Sequence, residues 1–313
     1  MQRMGPSNRR IALKVLRHGQ STLVYPGGFG LSKGVSDPIK NPSTLGLPYE
    51  DIELRPSNKV VLRGYFPSPR ATVIIFHGNA MNHGDVLDIA KRFFELGCNV
   101  FTVSYRGFGN SSGTPSEKGL RIDGQAAVDF VFNELPQIPI IIFGQSLGGA
   151  VGIDVTSRNP SKIKALIVEN TFTSIPDVVR DWPFIGNFWF LCTHKWNSAA
   201  KIPLIPTTLP ILMLSGDLDK VVPKKHTQKL WTIAFNRGMD VKKRDIETKK
   251  NANNIPPYAP PVRDFIKFLH GKHHNTYRQP GYWETVSDFL VSLENPPRDW
   301  TTKHNYRRFT CNW

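Results

Sequence analysis

Five short, largely apolar runs, at 71–76, 99–104, 139–143, 164–168 and 211–214, recur along the chain with helical spacing between them. A run of five or six apolar residues suits a strand covered on both faces. Val86, Ile89, Phe93 and Leu96 mark one intervening helix, and Ala126, Val128, Phe130, Val131 and Leu135 mark another. Strands alternating with helices predict an α/β chain built on a parallel sheet, because only crossover helices return the chain for parallel pairing. A strand pair at 51–54 and 60–66, joined by Arg55-Pro56-Ser57-Asn58, precedes the first run, and a final strand and helix are expected at 265–269 and 283–293. A third helix opens at Leu147, so only Gly144-Gln145-Ser146 remain to turn the chain out of its strand.

At 313 residues, 40% of them apolar, the chain suits one large domain with appendages and is too apolar to stay disordered. The expected division is a basic tail at 1–20, one domain at 21–300 and a short tail at 301–313. Within the domain, 172–209 reads as an aromatic cap containing Trp182, Phe184, Phe188, Trp189, Phe190 and Trp196. The polar, then proline-rich, stretch 238–262 reads as an exposed loop. Cys98, Cys192 and Cys311 show no C-x-x-C pairing, and the histidines lack zinc-site spacing, so no disulfide framework, metal or organic cofactor is expected.

Forty Lys+Arg against 25 Asp+Glu give a formal charge of +15. Arg3, Arg9, Arg10, Lys14, Arg17 and Lys33 all precede the first acidic residue, Asp37. Such a stretch reads as a strip for anionic lipid, a mitochondrial-type presequence or a solvated tail. No zinc finger, RNP-like strand or basic helix-turn-helix accompanies the charge, so a nucleic-acid partner is not expected. No window approaches the ~18 apolar residues of a membrane span.

Gly144-Gln145-Ser146-Leu147-Gly148 fits G-x-S-x-G, in which a nucleophile on a strained strand-to-helix turn needs small neighbours two residues away on each side. Ser146 is therefore the candidate nucleophile, with Gly144 and Gly148 making room for it. An oxyanion formed there needs two N–H donors. The backbone amides of Leu147 and of Asn79, in the turn after the 71–76 strand, are the candidates. His77 is read as structural. The acid is expected after a later strand, where Asp219 is favoured over Asp217, which suits the turn itself. Spacing cannot choose the base among His270, His273 and His274, and His226 is expected at the surface.

Further words sharpen this pattern: F-H-G-N-A at 76–80, Y-R-G-F-G at 105–109, S-G-T-P-S-E at 112–117, G-Q-S-L-G-G at 144–149 and E-N-T-F at 169–172. In these the chain resembles the fungal bud-emergence type of α/β-hydrolase, related to the animal α/β-hydrolase-domain depalmitoylases. The resemblance implies an α/β-hydrolase fold with a mostly parallel eight-stranded sheet, helices on both faces and a small cap. It implies a triad of Ser146, Asp219 and His274, since the family's histidine directly precedes an asparagine and Asn275 stands here. The usual Gly-x-His-Asn is one residue longer, as Gly271-Lys272-His273-His274-Asn275, so His273 remains an alternative. The implied activity is cleavage of an ester or thioester, with a long-chain acyl group on a small molecule or lipidated protein as the expected substrate. A small-ester hydrolase or peptidase, and a non-catalytic adaptor at a membrane surface, are the rival readings. The expected location is the cytoplasmic side, at an anionic membrane surface, with a mitochondrion as the other reading.

Overall fold

The computed structural model describes residues 39–47, 49–54, 62–66, 71–182, 186–238 and 263–294, together with Ser21, Val24, Tyr25 and Gly27–Phe29. The expected basic tail at 1–20, all but Gly238 of the loop at 238–262, and the tail at 301–313 lie outside these residues.

Eight strands form one sheet in the order β1-β2-β4-β3-β5-β6-β7-β8. They are β1 (Glu50–Leu54), β2 (Leu62–Phe66), β3 (Thr72–Phe76), β4 (Asn99–Ser104), β5 (Ile140–Gln145), β6 (Ile163–Glu169), β7 (Ile211–Gly216) and β8 (Arg263–Phe268). β2 pairs antiparallel with β1 and with β4; every other pairing is parallel. Every residue of β3, β4, β5 and β7 is buried, as continuous apolar runs require of strands covered on both faces.

Alternation along each strand divides the core in two. Ile74, Phe76, Ile140, Ile142, Ile211 and Met213 face helices α2 (Glu117–Glu134), α3 (Leu147–Arg158) and α6 (Lys225–Phe235). Val73, Ile75, Ile141, Phe143, Leu212 and Leu214 face α1 (Leu87–Glu95) and α7 (Tyr282–Glu294). Each fully buried side chain of this kind contributes about 1.5–3 kcal/mol, which makes two continuous apolar layers the main support of the sheet. Helix α2 starts well before its apolar stripe is visible in sequence. Its first turns carry Lys118, Gly119, Arg121, Asp123 and Gly124, and the start is fixed by Ser116, whose side chain accepts from the Gly119 amide at 3.0 Å. Asp123 is buried because it accepts from Arg106 Nε and from the Arg106 amide, pinning the Tyr105–Gly109 turn.

The cap is built from α4 (Ile175–Asp181), a 3-10 segment Gly186–Leu191, α5 (Ser198–Lys201) and the turn Ile202–Leu204. Its aromatic residues do not share one environment. Trp196 is fully buried and donates from Nε1 to Tyr25 Oη at 2.9 Å, whereas Phe188 and Phe190 are exposed. Among the described residues, no helix is long and apolar enough to cross a membrane.

The order of strands positions the site. The chain runs from β3 outward to β4, then returns to place β5 on the other side of β3. At such a reversal the loops leaving the two strands diverge and open a crevice at their C-terminal ends. Phe76 and Gly144 are register partners across that pair, so the turn after β3 lies beside the turn after β5.

Candidate active site

Ser146 sits between β5 and α3 with φ 54° and ψ −117°, a region that L-residues adopt only when surrounding structure enforces it. The enforcement is steric and polar. A Cβ on Gly144 would lie 2.2 Å from Gly148 O, and one on Gly148 would lie 1.9 Å from Phe76 O, so the turn can close only on glycine. The Ser146 amide donates to Glu169 O at 2.9 Å, and its carbonyl accepts from Thr171 Oγ1 at 2.8 Å. The side chain is thereby thrust from the turn at the head of α3.

The turn after β8 brings the partner. His273 Nε2 is 3.0 Å from Ser146 Oγ, and His273 Nδ1 is 2.7 Å from Asp219 Oδ2. An ionised carboxylate only accepts, so Nδ1 carries the proton and Nε2 is left to accept from the Ser146 hydroxyl. The other Asp219 oxygen accepts from the Val221 and Val222 amides at 2.8 and 2.9 Å, which fixes the carboxylate. Asp217 instead pairs with Lys224 at 3.1 Å.

The structure corrects the expected position of the histidine: His273, not His274, reaches Ser146 and Asp219. The cause is the longer turn. Asn275 Oδ1 accepts from the Lys272 amide at 2.7 Å, and the Asn275 amide donates to Lys272 O at 3.2 Å, closing a turn around the two histidines. His273 is buried inside it, while His274 is exposed, its ring edge-on to His273 at 4.8 Å. Burial and the neighbouring His273 hold the His274 pKa below its ordinary value. His270 is exposed.

The Leu147 amide opens α3 and the Asn79 amide follows β3; neither makes a backbone hydrogen bond among the described residues. The Asn79 side chain is occupied elsewhere, donating to Val24 O at 2.7 Å. His77 lies beneath this turn, with Nδ1 donating to Gly78 O at 2.8 Å and its ring 4.3 Å from that of Tyr105. Burial pushes its pKa down to about 3, so it stays neutral. His226, expected at the surface, is instead buried, with Nδ1 2.9 Å from Thr173 Oγ1 and Nε2 2.8 Å from Asp181 Oδ2. It fastens the cap helix α4 to α6.

Three polar residues beneath the serine had no assigned role in sequence. Asn170, with φ 47°, donates to Thr276 Oγ1 at 2.9 Å and to the Lys272 and His273 carbonyls at 3.3 Å, and accepts from the Gly216 amide at 2.8 Å. It ties the histidine turn to the strand that leads to Asp219. Gln145 Nε2 donates to the His273 carbonyl at 3.2 Å and to Glu169 Oε1 at 2.7 Å. Burial raises the Glu169 pKa to about 7. Two of the three stand in the word E-N-T-F, which carried the signal without the geometry. Among the described residues no group of three or more His, Cys, Asp or Glu is arranged to hold a metal ion.

A family model described as serine aminopeptidase, S33, matches residues 67–203. The chain is 37% identical over 292 residues to protein bem46 of Schizosaccharomyces pombe, covering 90% of this chain and 89% of that protein. It is 32% identical over 183 residues to the lysophosphatidylserine lipase ABHD12 of Macaca fascicularis, covering 53% of this chain and 46% of that one. Among solved structures, an alpha-beta hydrolase of Vibrio vulnificus is similar with a TM-score of 0.61 and 17% identity, over 93% of this chain and 95% of that chain.

Proposed function

The chain belongs to the α/β-hydrolases of the Bem46 type, and from that membership we propose that it is a serine hydrolase cleaving a carboxylic ester or thioester. The observation that carries the reading is the hydrogen-bonded sequence Ser146–His273–Asp219 on a strained turn. In this mechanism His273 Nε2 takes the Ser146 proton as Oγ attacks the acyl carbon. The oxyanion is received by the Leu147 and Asn79 amides. His273 then returns the proton to the departing oxygen or sulfur, leaving an acyl group on Ser146. Water, deprotonated by the same nitrogen, attacks that acyl group and releases the acid. Asp219 holds the Nδ1 proton throughout and stabilises the imidazolium.

A long apolar acyl chain is the substrate feature we favour. Leu218 and Val221, on either side of Asp219, are exposed, and the Trp182 indole stands over this loop with Nε1 3.5 Å from Val221 O. An apolar rim on the loop that carries Asp219 suits an acyl chain, and the lysophosphatidylserine lipase among the relatives is named for a lipid ester. The test is fluorophosphonate labelling of the purified chain and of Ser146→Ala, followed by acetyl, octanoyl and palmitoyl esters and a palmitoyl thioester. Labelling that depends on Ser146, with faster turnover of the longer chains, is expected. A folded chain that takes no label would overturn the hydrolase reading; a strong preference for acetyl esters or for peptides would overturn the acyl one.

A further inference from the structure

The cap turns a set of large apolar side chains outward. Phe188, Trp189, Phe190 and Leu191 are consecutive, and are 56%, 38%, 59% and 53% exposed in a segment, Gly186–Leu191, with no buried residue. The segment is seated on the end of α4: the Gly186 amide donates to Trp182 O at 3.1 Å, and a Cβ on Gly186 would meet Arg180 O at 2.6 Å. Trp182, also exposed, links the patch through Val221 to the loop carrying Asp219. Scattered apolar residues on a surface mean little, but a contiguous group of this size marks a docking surface.

Charge identifies what docks. Arg180 stacks on Trp189 at 4.2 Å, Lys225 pairs with Asp181 at the end of α4, and Lys220, Lys224 and Lys229 are exposed on the acid loop and α6. The nearby carboxylates are already engaged: Asp177 with Arg180, Asp181 with Lys225 and Asp217 with Lys224. With Asp219 on the same loop counted, five cations less four carboxylates leave +1 at the rim. Aromatic side chains ringed by Lys and Arg suit the interface of an anionic bilayer, where the rings enter the headgroup region and the cations meet lipid phosphates and carboxylates. The same rim would repel a second copy of itself, and would repel the basic segment 1–20.

We propose that this surface seats the protein on an anionic lipid bilayer, with the Asp219 side of the site turned toward the lipid. The docking does not depend on the chemistry at Ser146, and its test separates the two. The full chain is sedimented with phosphatidylcholine vesicles, with and without phosphatidylserine, and compared with Phe188→Ser/Phe190→Ser and with Lys220→Glu/Lys229→Glu. Fluorophosphonate labelling and the melting temperature report folding, and Leu191→Asp serves as the second apolar variant should the double one misfold. The chain is expected to bind the phosphatidylserine vesicles, more weakly as salt rises. The apolar variant should bind at least about tenfold more weakly, since two large apolar side chains no longer leave water on docking. The charge variant should lose its preference for phosphatidylserine. Equal binding by the chain and its apolar variants would overturn the proposal, as would absence of binding to either vesicle. So would a dimer that the apolar substitutions dissociate, since the occupant would then be a second copy. Loss of labelling in the unsubstituted chain would count against the hydrolase reading and leave the vesicle result standing.

Discussion

Replacing His273 and His274 one at a time tests the site where neighbouring, chemically identical residues differ only in direction. His273 is buried between Ser146 Oγ at 3.0 Å and Asp219 Oδ2 at 2.7 Å, so His273→Ala removes both the acceptor for the serine proton and the cation that Asp219 stabilises. For a base acting as one unit with its nucleophile, the loss is about 10⁴- to 10⁶-fold in kcat, on the order of 5–8 kcal/mol. His274 touches His273 edge-on at 4.8 Å and is otherwise exposed. Losing such a ring contact costs about 0.5–1.5 kcal/mol, so His274→Ala should lower kcat by no more than about tenfold. The assay is hydrolysis of p-nitrophenyl octanoate by both variants, with melting temperatures showing that each is folded. Partial recovery of His273→Ala by added imidazole would strengthen the assignment. If His274→Ala falls as far as His273→Ala, the turn closed by Asn275 does not point these side chains as the structure has them, and the mechanism drawn through His273 is wrong.

Three further outcomes are expected. Asn170→Ala removes the tie between the histidine turn and β7 and leaves the Gly216 amide unpaired; about 2–4 kcal/mol of stability should go, and kcat should fall while KM changes little. Asn170→Gly, which relieves the positive φ without restoring the tie, should lose kcat equally, and its recovery would mean that backbone strain and not the clamp matters. Glu169 has its pKa raised from 4.5 to about 7 by burial, so between those values the folded chain holds a proton that the unfolded chain has lost. Stability therefore falls as pH rises through that window, by about 3 kcal/mol in all from this group. Urea unfolding at several pH values should show a flatter profile for Glu169→Gln, and identical profiles would remove the assignment. Gly148→Ala would drive a Cβ into Phe76 O, a backbone atom that cannot give way; a loss of about 3 kcal/mol or more, read as failure to accumulate soluble chain or as a large drop in melting temperature, is expected.

The sheet was legible because its signal is local. Runs such as those of β3 and β5 are mostly apolar and are buried at every position, and only strands covered on both faces place every such side chain out of water. The start of α2 was not legible, since Asp123 and Gly124 break the apolar stripe, and what makes them helical is the contact of Asp123 with Arg106 from another turn. The positions of Ser146 and Asp219 at one site were readable by the same logic as the strands: each follows an apolar run at a fixed offset. The histidine was not, because an inserted residue shifts direction as well as number. Which of His273 and His274 faces inward depends on the Asn275 and Asn170 hydrogen bonds, one of which spans more than a hundred residues. His226 misled for a related reason: its neighbours Lys224 and Lys225 are exposed, and only Asp181 and Thr173 of the cap segment explain its burial.

The local departures from ordinary backbone and burial rules gather around one crevice. Of the three non-glycine residues with positive φ among the described residues, Ser146 follows β5 and Asn170 follows β6. Glu169, a carboxyl buried without a cationic partner among the described residues, lies between them and takes the Ser146 amide on its carbonyl. Each departure costs on the order of 1–3 kcal/mol. The sheet and its two apolar layers can offset these costs, but packing alone gives no reason to incur three of them together. What they accomplish jointly is geometric: the serine is lifted clear of its turn, and Asn170 and Gln145 hold the His273 carbonyl from below, so the imidazole meets Ser146 Oγ on one side and Asp219 on the other. Relieving one departure should therefore gain stability only where catalysis is lost. Glu169→Gln is the cleanest case to examine, because it removes the ionisable carboxyl while keeping an acceptor for Gln145. If Glu169→Gln is more stable at neutral pH and hydrolyses esters as well as the unsubstituted chain, the buried carboxyl is a tolerated flaw and not part of the support for His273.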